Sequence, residues 1–127
     1  MSAGGLIANY YLNHGIISIK QENYEQAIIM LSKSINYSPE DSTYMARGSA
    51  YSASQQYDLA IADYSQAISL GSHVSRDAAV YAARGSAYSA SQQYDLAIVD
   101  YSQAISLEPE EAAVYTARGS AYSGSEK

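Results

Sequence analysis

Residues 41–54 place Tyr44, Gly48 and Tyr51 at i, i+4 and i+7, and residues 58–70 place Ala60, Tyr64 and Ala67 at the same kind of spacing. Each stretch reads as a helix with one packing stripe, and the two stripes face each other as an antiparallel pair. The pattern is repeated almost letter for letter. Residues 46–70, ARGSAYSASQQYDLAIADYSQAISL, return at 83–107 with one change, Ala62 becoming Val99, and begin again at 117 as ARGSAYSGS. Aligning the repeated glycine puts Gly15, Gly48, Gly85 and Gly119 in one column, with spacings of 33, 37 and 34 residues. A chain that writes one helix pair over and over builds a surface by stacking. The expectation is an all-α domain over 1–127, with units at about 8–40, 41–77 and 78–111, a partial unit at 112–127, and seven helices in all.

Local signals mark where these helices begin and stop. In Ser38-Pro39-Glu40-Asp41 the serine can cap, the proline suits a first turn and the acid suits the positive helix end; Glu108-Pro109-Glu110-Glu111 repeats the device less fully. The joint at 71–77, GSHVSRD, lacks the proline and carries three extra residues, so it is expected to loosen the stack, with Gly71 as a helix stop and Ser75 or Asp77 as the next cap. Glycine inside a helix costs about 1 kcal/mol relative to alanine, and close helix approach is the natural compensation. Gly48 is expected to nest against Ala60, Gly85 against Ala97, and Gly119 belongs to the same column. Bulk at Ala60 or Ala97 should then cost about 1–3 kcal/mol through overpacking.

Composition narrows the function classes. The chain is 47% hydrophobic and 16% charged, as expected of a folded domain, and all fourteen aromatics are tyrosine. Each buried ring therefore brings a hydroxyl that has to reach water or a partner. A net charge of −6, with the basic residues scattered singly, argues against nucleic-acid or anionic-membrane binding. The absence of cysteine excludes disulfides, thiolate metal sites and a cysteine nucleophile. The first twenty residues, MSAGGLIANYYLNHGIISIK, lack a basic start and are interrupted by Asn9, Asn13 and His14, so they read as a helix of the fold and not as a signal peptide. Without a membrane-spanning run, the default location is cytoplasmic.

The spaced residues Tyr44, Gly48, Tyr51, Ala60, Tyr64 and Ala67, echoed by Tyr81, Gly85, Tyr88, Ala97, Tyr101, Ala104 and Pro109, resemble the tetratricopeptide repeat pattern. The first unit matches less fully: it keeps Tyr11, Gly15, Ala27 and Pro39 but has Ser18, Leu31 and Ser34 at the other positions, and Gln55 and Gln92 stand where the family usually has glycine in the turn. The resemblance implies a right-handed superhelix whose concave face, lined by the first helix of each pair, holds an extended peptide or a partner helix. Its groove residues here would be Met45, Ser49 and Ser52, then Ala82, Ser86 and Ser89, then Thr116 and Ser120, with Ser42, Ala53, Ala79, Ala90, Ala113 and Ser123 beside them. Nearly all are small. They read equally as a smooth groove and as an unspecialised surface. One branch of the family clamps acidic peptide tails with lysine and asparagine, and the corresponding positions here are Leu12, Ile16, Ala46, Ala79 and Ala83, so that clamp is absent.

Other constellations carry less. Arg47, Arg84 and Arg118 each precede the packing glycine, and Asp63 and Asp100 recur on the second helices, which suggests structural ion pairs within a unit or between neighbouring ones. An arginine ladder gripping acidic peptide is the alternative. His14 and His73 have no partners at metal spacing, no serine sits in a nucleophile elbow, and Gly48 and Gly85 lie mid-helix without a phosphate-loop lysine. No cofactor, metal or catalytic group is therefore expected. The last unit presents Tyr115, Gly119 and Tyr122 and then reaches Glu126-Lys127 without a second helix, as in a piece of a longer array or a chain that associates with itself. The first functional reading is a non-catalytic scaffold for a protein or peptide of unknown identity. The alternative is a self-assembling module, a dimer or head-to-tail oligomer through the open C-terminal helix.

Overall fold

The computed structural model describes residues 2–71 and 74–127, and the side chains at 74–76 lie outside that description. Seven helices and no strand are found among the described residues: α1 Ala3–Lys20, α2 Tyr24–Tyr37, α3 Asp41–Ala53, α4 Tyr57–Leu70, α5 Val74–Ala90, α6 Tyr94–Leu107 and α7 Ala112–Ser125. The chain divides into two compact units, Met1–Leu70 and Gly71–Lys127. None of the described helices is long and apolar enough to cross a membrane.

In the first unit α1 packs on α2, α3 on α4, and α2 on α3. Short turns at 21–23 and 54–56 make each pair antiparallel. Ala27, Leu31 and Ala50 form a buried cluster, covered by Leu12, Ile19, Tyr24, Ile28 and Ala46. The divergent residues of the first repeat are accommodated individually. Leu31 takes the place of the ring, with its Cγ and Cδ2 lying 2.6 Å from where a Cβ on Gly15 would stand. Ser34, in place of the small apolar residue, donates its buried hydroxyl to the Ala8 carbonyl at 2.7 Å. A buried hydroxyl is tolerated where a backbone acceptor is in reach.

In the second unit α5 packs on α6 and α6 on α7. Its buried cluster is Ala97, Tyr101 and Ala121, flanked by Tyr88, Tyr94, Ile98, Val114 and Ala117. The turns at 54–56 and 91–93 place Gln55 and Gln92 at φ 64° and 65°, the left-handed region where the family prefers glycine, and Glu22 occupies the same conformation at φ 60°.

Helix starts differ from the expectation. Ser38 does not cap α3; it closes α2, its N–H donating to the Ser34 carbonyl, and the N-cap of α3 is Glu40, whose side chain makes no capping bond. The chain stays extended through Ser38 and Glu40, so the serine sits too far upstream to reach the first free amides of α3. Asp41 Oδ1 instead accepts from the Ser42 amide at 2.9 Å. Side-chain caps are made by Ser2, which accepts from Gly5 at 3.0 Å, and by Asn23, which accepts from Gln26 at 3.3 Å. Gly71 does follow the last residue of α4. The expected cap at Ser75 or Asp77 is corrected, because α5 begins at Val74 and both residues lie inside the helix. The expected loosening of the 71–77 joint and the role of His73 fall outside the described residues.

Candidate functional site

The first helices carry two sets of side chains, one that ties each helix pair together and one that faces outward. The tie is centred on arginine. Arg47 on α3 donates from Nε and Nη2 to the two carboxylate oxygens of Asp63 on α4, both at 2.8 Å, and from Nη1 to Ser32 on α2 at 3.1 Å. Arg84 on α5 repeats the fork to Asp100 on α6, at 2.7 and 2.8 Å. Both pairs lie inside one helix pair. The carboxylates are buried, at 7% and 3% side-chain exposure, and the arginines are 20% exposed. Hydrogen bonding to the aspartate raises the pKa of each arginine above its ordinary value, against the opposing effect of burial.

Tyrosines on the same helix bracket each guanidinium. Arg47 lies 5.7 Å from the ring centres of Tyr44 and Tyr51, and Arg84 lies 5.6 and 5.8 Å from those of Tyr81 and Tyr88. Spacings of three and four residues place both rings on the arginine's face, where cation–π attraction adds to the ion pair. Arg118 differs. It lies 5.6 Å from the Tyr115 ring and donates to Ser102 at 3.2 Å, but it has no carboxylate partner among the described residues, so its assignment to an ion pair is corrected. The reason is positional: the aspartate partner sits sixteen residues downstream of Arg47 and Arg84, and no helix in the chain occupies that place for Arg118. Ser32 and Ser102 escape sequence reading because a helix serine is usually solvated; only their alignment beside Leu31 and Tyr101 marks them.

The glycine notch also needs correction. A Cβ on Gly48 would stand 2.7 Å from Cε1 and 2.9 Å from Cδ1 of Tyr64, and one on Gly85 would stand 2.9 and 3.0 Å from the same atoms of Tyr101. The tyrosine ring, and not Ala60 or Ala97, is the nearest occupant. Helical side chains lean toward the N-terminus, so a residue one turn further along covers the notch. Ala60 and Ala97 are still completely buried. Gly119 has nothing within 4 Å of its Cβ position, which removes it from the packing residues.

The outward set is only partly free. Tyr64 donates to Ser49 at 3.4 Å, and the hydroxyls of Ser86 and Tyr101 are 3.1 Å apart, so both serines serve the core rings as well as the surface. Burial raises the pKa of Tyr64, the Ser49 and Ser52 hydroxyls oppose this, and the charge of Asp63 adds to it. Met45, Ser52, Ala82 and Ser89 are half-buried, whereas Thr116 and Ser120 are exposed. The Thr116 hydroxyl donates back to the Ala112 carbonyl at 3.4 Å. In the second unit Ala78, Ala79, Ala82, Ala104 and Val114 form an apolar cavity of about 290 Å³, with Glu108 and Glu111 on its rim. Sequence reading takes those two glutamates only as part of a helix start, because they belong to the α6–α7 connection and reach the cavity only through the fold.

Models of the tetratricopeptide repeat match residues 8–41 and 42–70, and a TPR repeat model matches residues 85–124. The chain belongs to the tetratricopeptide repeat family. No match was found among curated protein sequences. Among solved structures, this TPR chain is similar to the first TPR of Spaghetti (RPAP3) bound to the HSP90 peptide SRMEEVD, with a TM-score of 0.89 and 24% identity over 97% of this chain and 96% of that one. The Arabidopsis OM64 TPR domain gives 0.88 at 18% identity over 95% and 98%. The first TPR domain of human RPAP3 gives 0.84 at 25% identity over 93% and 91%. The likeness extends across both units and all seven helices of the TPR fold.

Proposed function

We propose that the chain is a non-catalytic protein-interaction scaffold that takes an extended peptide or helix on the first-helix face. The observation that carries this reading is the small-residue cavity of the second unit, where Ala79 and Ala82 sit beside Val114 and leave room for a partner's side chain. The comparison supports it at the level of fold: the Spaghetti (RPAP3) domain and the second TPR domain of human RPAP3 are described in complex with HSP90 and HSP70 peptides. The ligand is of a different kind. Leu12, Ile16, Ala46, Ala79 and Ala83 supply no cation for a terminal carboxylate, Arg47 and Arg84 are committed to aspartates, and the cavity rim is acidic. A neutral or basic peptide with a compact apolar side chain suits the cavity better than an acidic tail.

The test is a selection from a displayed peptide library, followed by affinity measurement on Ala82→Arg and on Glu108→Gln/Glu111→Gln. The selected peptides should be neutral or basic. Ala82→Arg should abolish their binding, and the double glutamine variant should weaken the basic ones. Peptides that bind Ala82→Arg as tightly as the parent would overturn the groove assignment.

A further inference from the structure

Fourteen tyrosines in a chain with no cysteine and no tryptophan make the phenol the side chain that yields an electron most readily, with no thiol to take up the radical that results. In the first unit, Tyr11 on α1 and Tyr37 at the last position of α2 stack on each other, with ring centres 6.1 Å apart and planes 16° from parallel. The contact is held by its surroundings. Lys33, one turn before Tyr37 on α2, places its ammonium 5.5 Å from the centre of the Tyr11 ring. The buried bond from Ser34 to the Ala8 carbonyl, 2.7 Å long, fixes the spacing of the two helices beside it. Tyr10 also touches Tyr11, at 5.3 Å, but edge to face with planes 79° apart. That difference decides what each pair can do. The unpaired electron of a phenoxyl ring occupies orbitals perpendicular to the ring plane, so two such rings couple most directly when their planes are near parallel.

We propose that Tyr11 and Tyr37 form an oxidative cross-linking site, at which a peroxidase-class oxidant using hydrogen peroxide joins α1 to α2 through a dityrosine bond. Each phenol gives up one electron and its hydroxyl proton, leaving a phenoxyl radical. The two radicals join at ring carbons next to the oxygens, a Cε of Tyr11 to a Cε of Tyr37, and the hydrogen on each of these carbons moves to its oxygen, restoring both phenols. Two electrons and two protons have then left, and they reduce one hydrogen peroxide to two waters. Tyr37 is 52% exposed at the end of its helix, which admits the oxidant and lets the ring slide the remaining distance. The bond closes the loop between residues 11 and 37, restricts the unfolded chain and is not reversed by thiols, so oxidation locks the first helix pair. The site lies in the first unit and is independent of the peptide cavity in the second.

The test treats the purified chain with a haem peroxidase and hydrogen peroxide over a dilution series, isolates the monomer, and reads dityrosine fluorescence and tryptic masses. Cleavage after Lys20, Lys33 and Arg47 leaves Tyr11 in 1–20 and Tyr37 in 34–47, so the link joins these two peptides with the loss of two hydrogens. The joined pair is expected in the monomer, at a yield that does not change on dilution. Phenylalanine keeps the ring and removes the phenol. Tyr11→Phe and Tyr37→Phe should therefore retain their helicity by circular dichroism and lose the joined pair, whereas Tyr10→Phe should keep it. Absence of dityrosine from the monomer would overturn the proposal, as would a link confined to 1–20, which would assign the coupling to Tyr10 and Tyr11. Persistence of the joined pair in Tyr37→Phe would do so as well, because Tyr44 in the same peptide would then be the partner.

Discussion

Thr43 is completely buried, and its hydroxyl is the one buried side-chain polar atom without a hydrogen-bond partner among the described residues. The equivalent positions hold Val80, also buried, and Val114. An unsatisfied buried hydroxyl costs about 1–3 kcal/mol. Thr43→Val keeps the shape and removes that cost, so urea denaturation should show stability raised by about 1 kcal/mol, with an unchanged dependence on urea. Tyr64 gives a second prediction at this scale. Burial holds its folded pKa above the unfolded one, so the neutral phenol contributes stability that is fully present below the unfolded value and is lost as pH rises through the folded value. Above about pH 10 the parent chain should lose stability faster than Tyr64→Phe, as measured by denaturation at stepped pH. Equal slopes would show that this phenol does not titrate with folding.

At the scale of elements, the helix pairs are held by an apolar seam and by one buried ion pair each. Removing one member of a buried pair strands the other, at a cost of about 3–5 kcal/mol when both are sealed from water. The arginines keep 20% exposure, which screens the stranded charge and places Asp63→Asn and Asp100→Asn nearer to about 2 kcal/mol. Thermal denaturation of each variant measures this; a change below about 0.5 kcal/mol would reduce the forks to surface pairs. The helices themselves were legible from the period of their tyrosine, glycine and alanine stripes, which sequence carries directly. Four details were not. Ser38 reads as a cap, but capping depends on where the chain bends and not on which residue precedes the acids. The partner of Gly48 depends on the lean of a helical side chain, which shifts contact from Ala60 to Tyr64. The aspartate partners of Arg47 and Arg84 could be on either neighbouring helix until the packing chose between them. The cavity glutamates were hidden for a related reason, since a connection's residues acquire an environment only from the helices around it.

Across the whole molecule, the chain repeats one interface, and in such proteins stability approximates a sum of repeat terms and nearest-neighbour interface terms. Both buried interfaces with an arginine–aspartate fork join a first helix to the second helix that follows it, and α7 offers the same first-helix surface with Gly119 uncovered. Covering it within the chain should therefore add one more interface term. Replacing Glu126 and Lys127 with a copy of residues 55–70 would continue ARGSAYSGS into QQYDLAIADYSQAISL, the order found after ARGSAYSAS at 46–54. The added helix would bring an aspartate to Arg118 and a ring to Gly119. An interface gain of about 2 kcal/mol raises the unfolding temperature of a chain of this size by roughly 6–12 °C. The urea dependence should steepen as well, because more surface is buried on folding. The same extension carrying Gly119→Leu should lose most of the gain, since a side chain at the notch excludes the ring. An extension that raises stability equally with leucine at 119 would mean that the added helix packs elsewhere, and the notch would no longer explain why glycine recurs in this column.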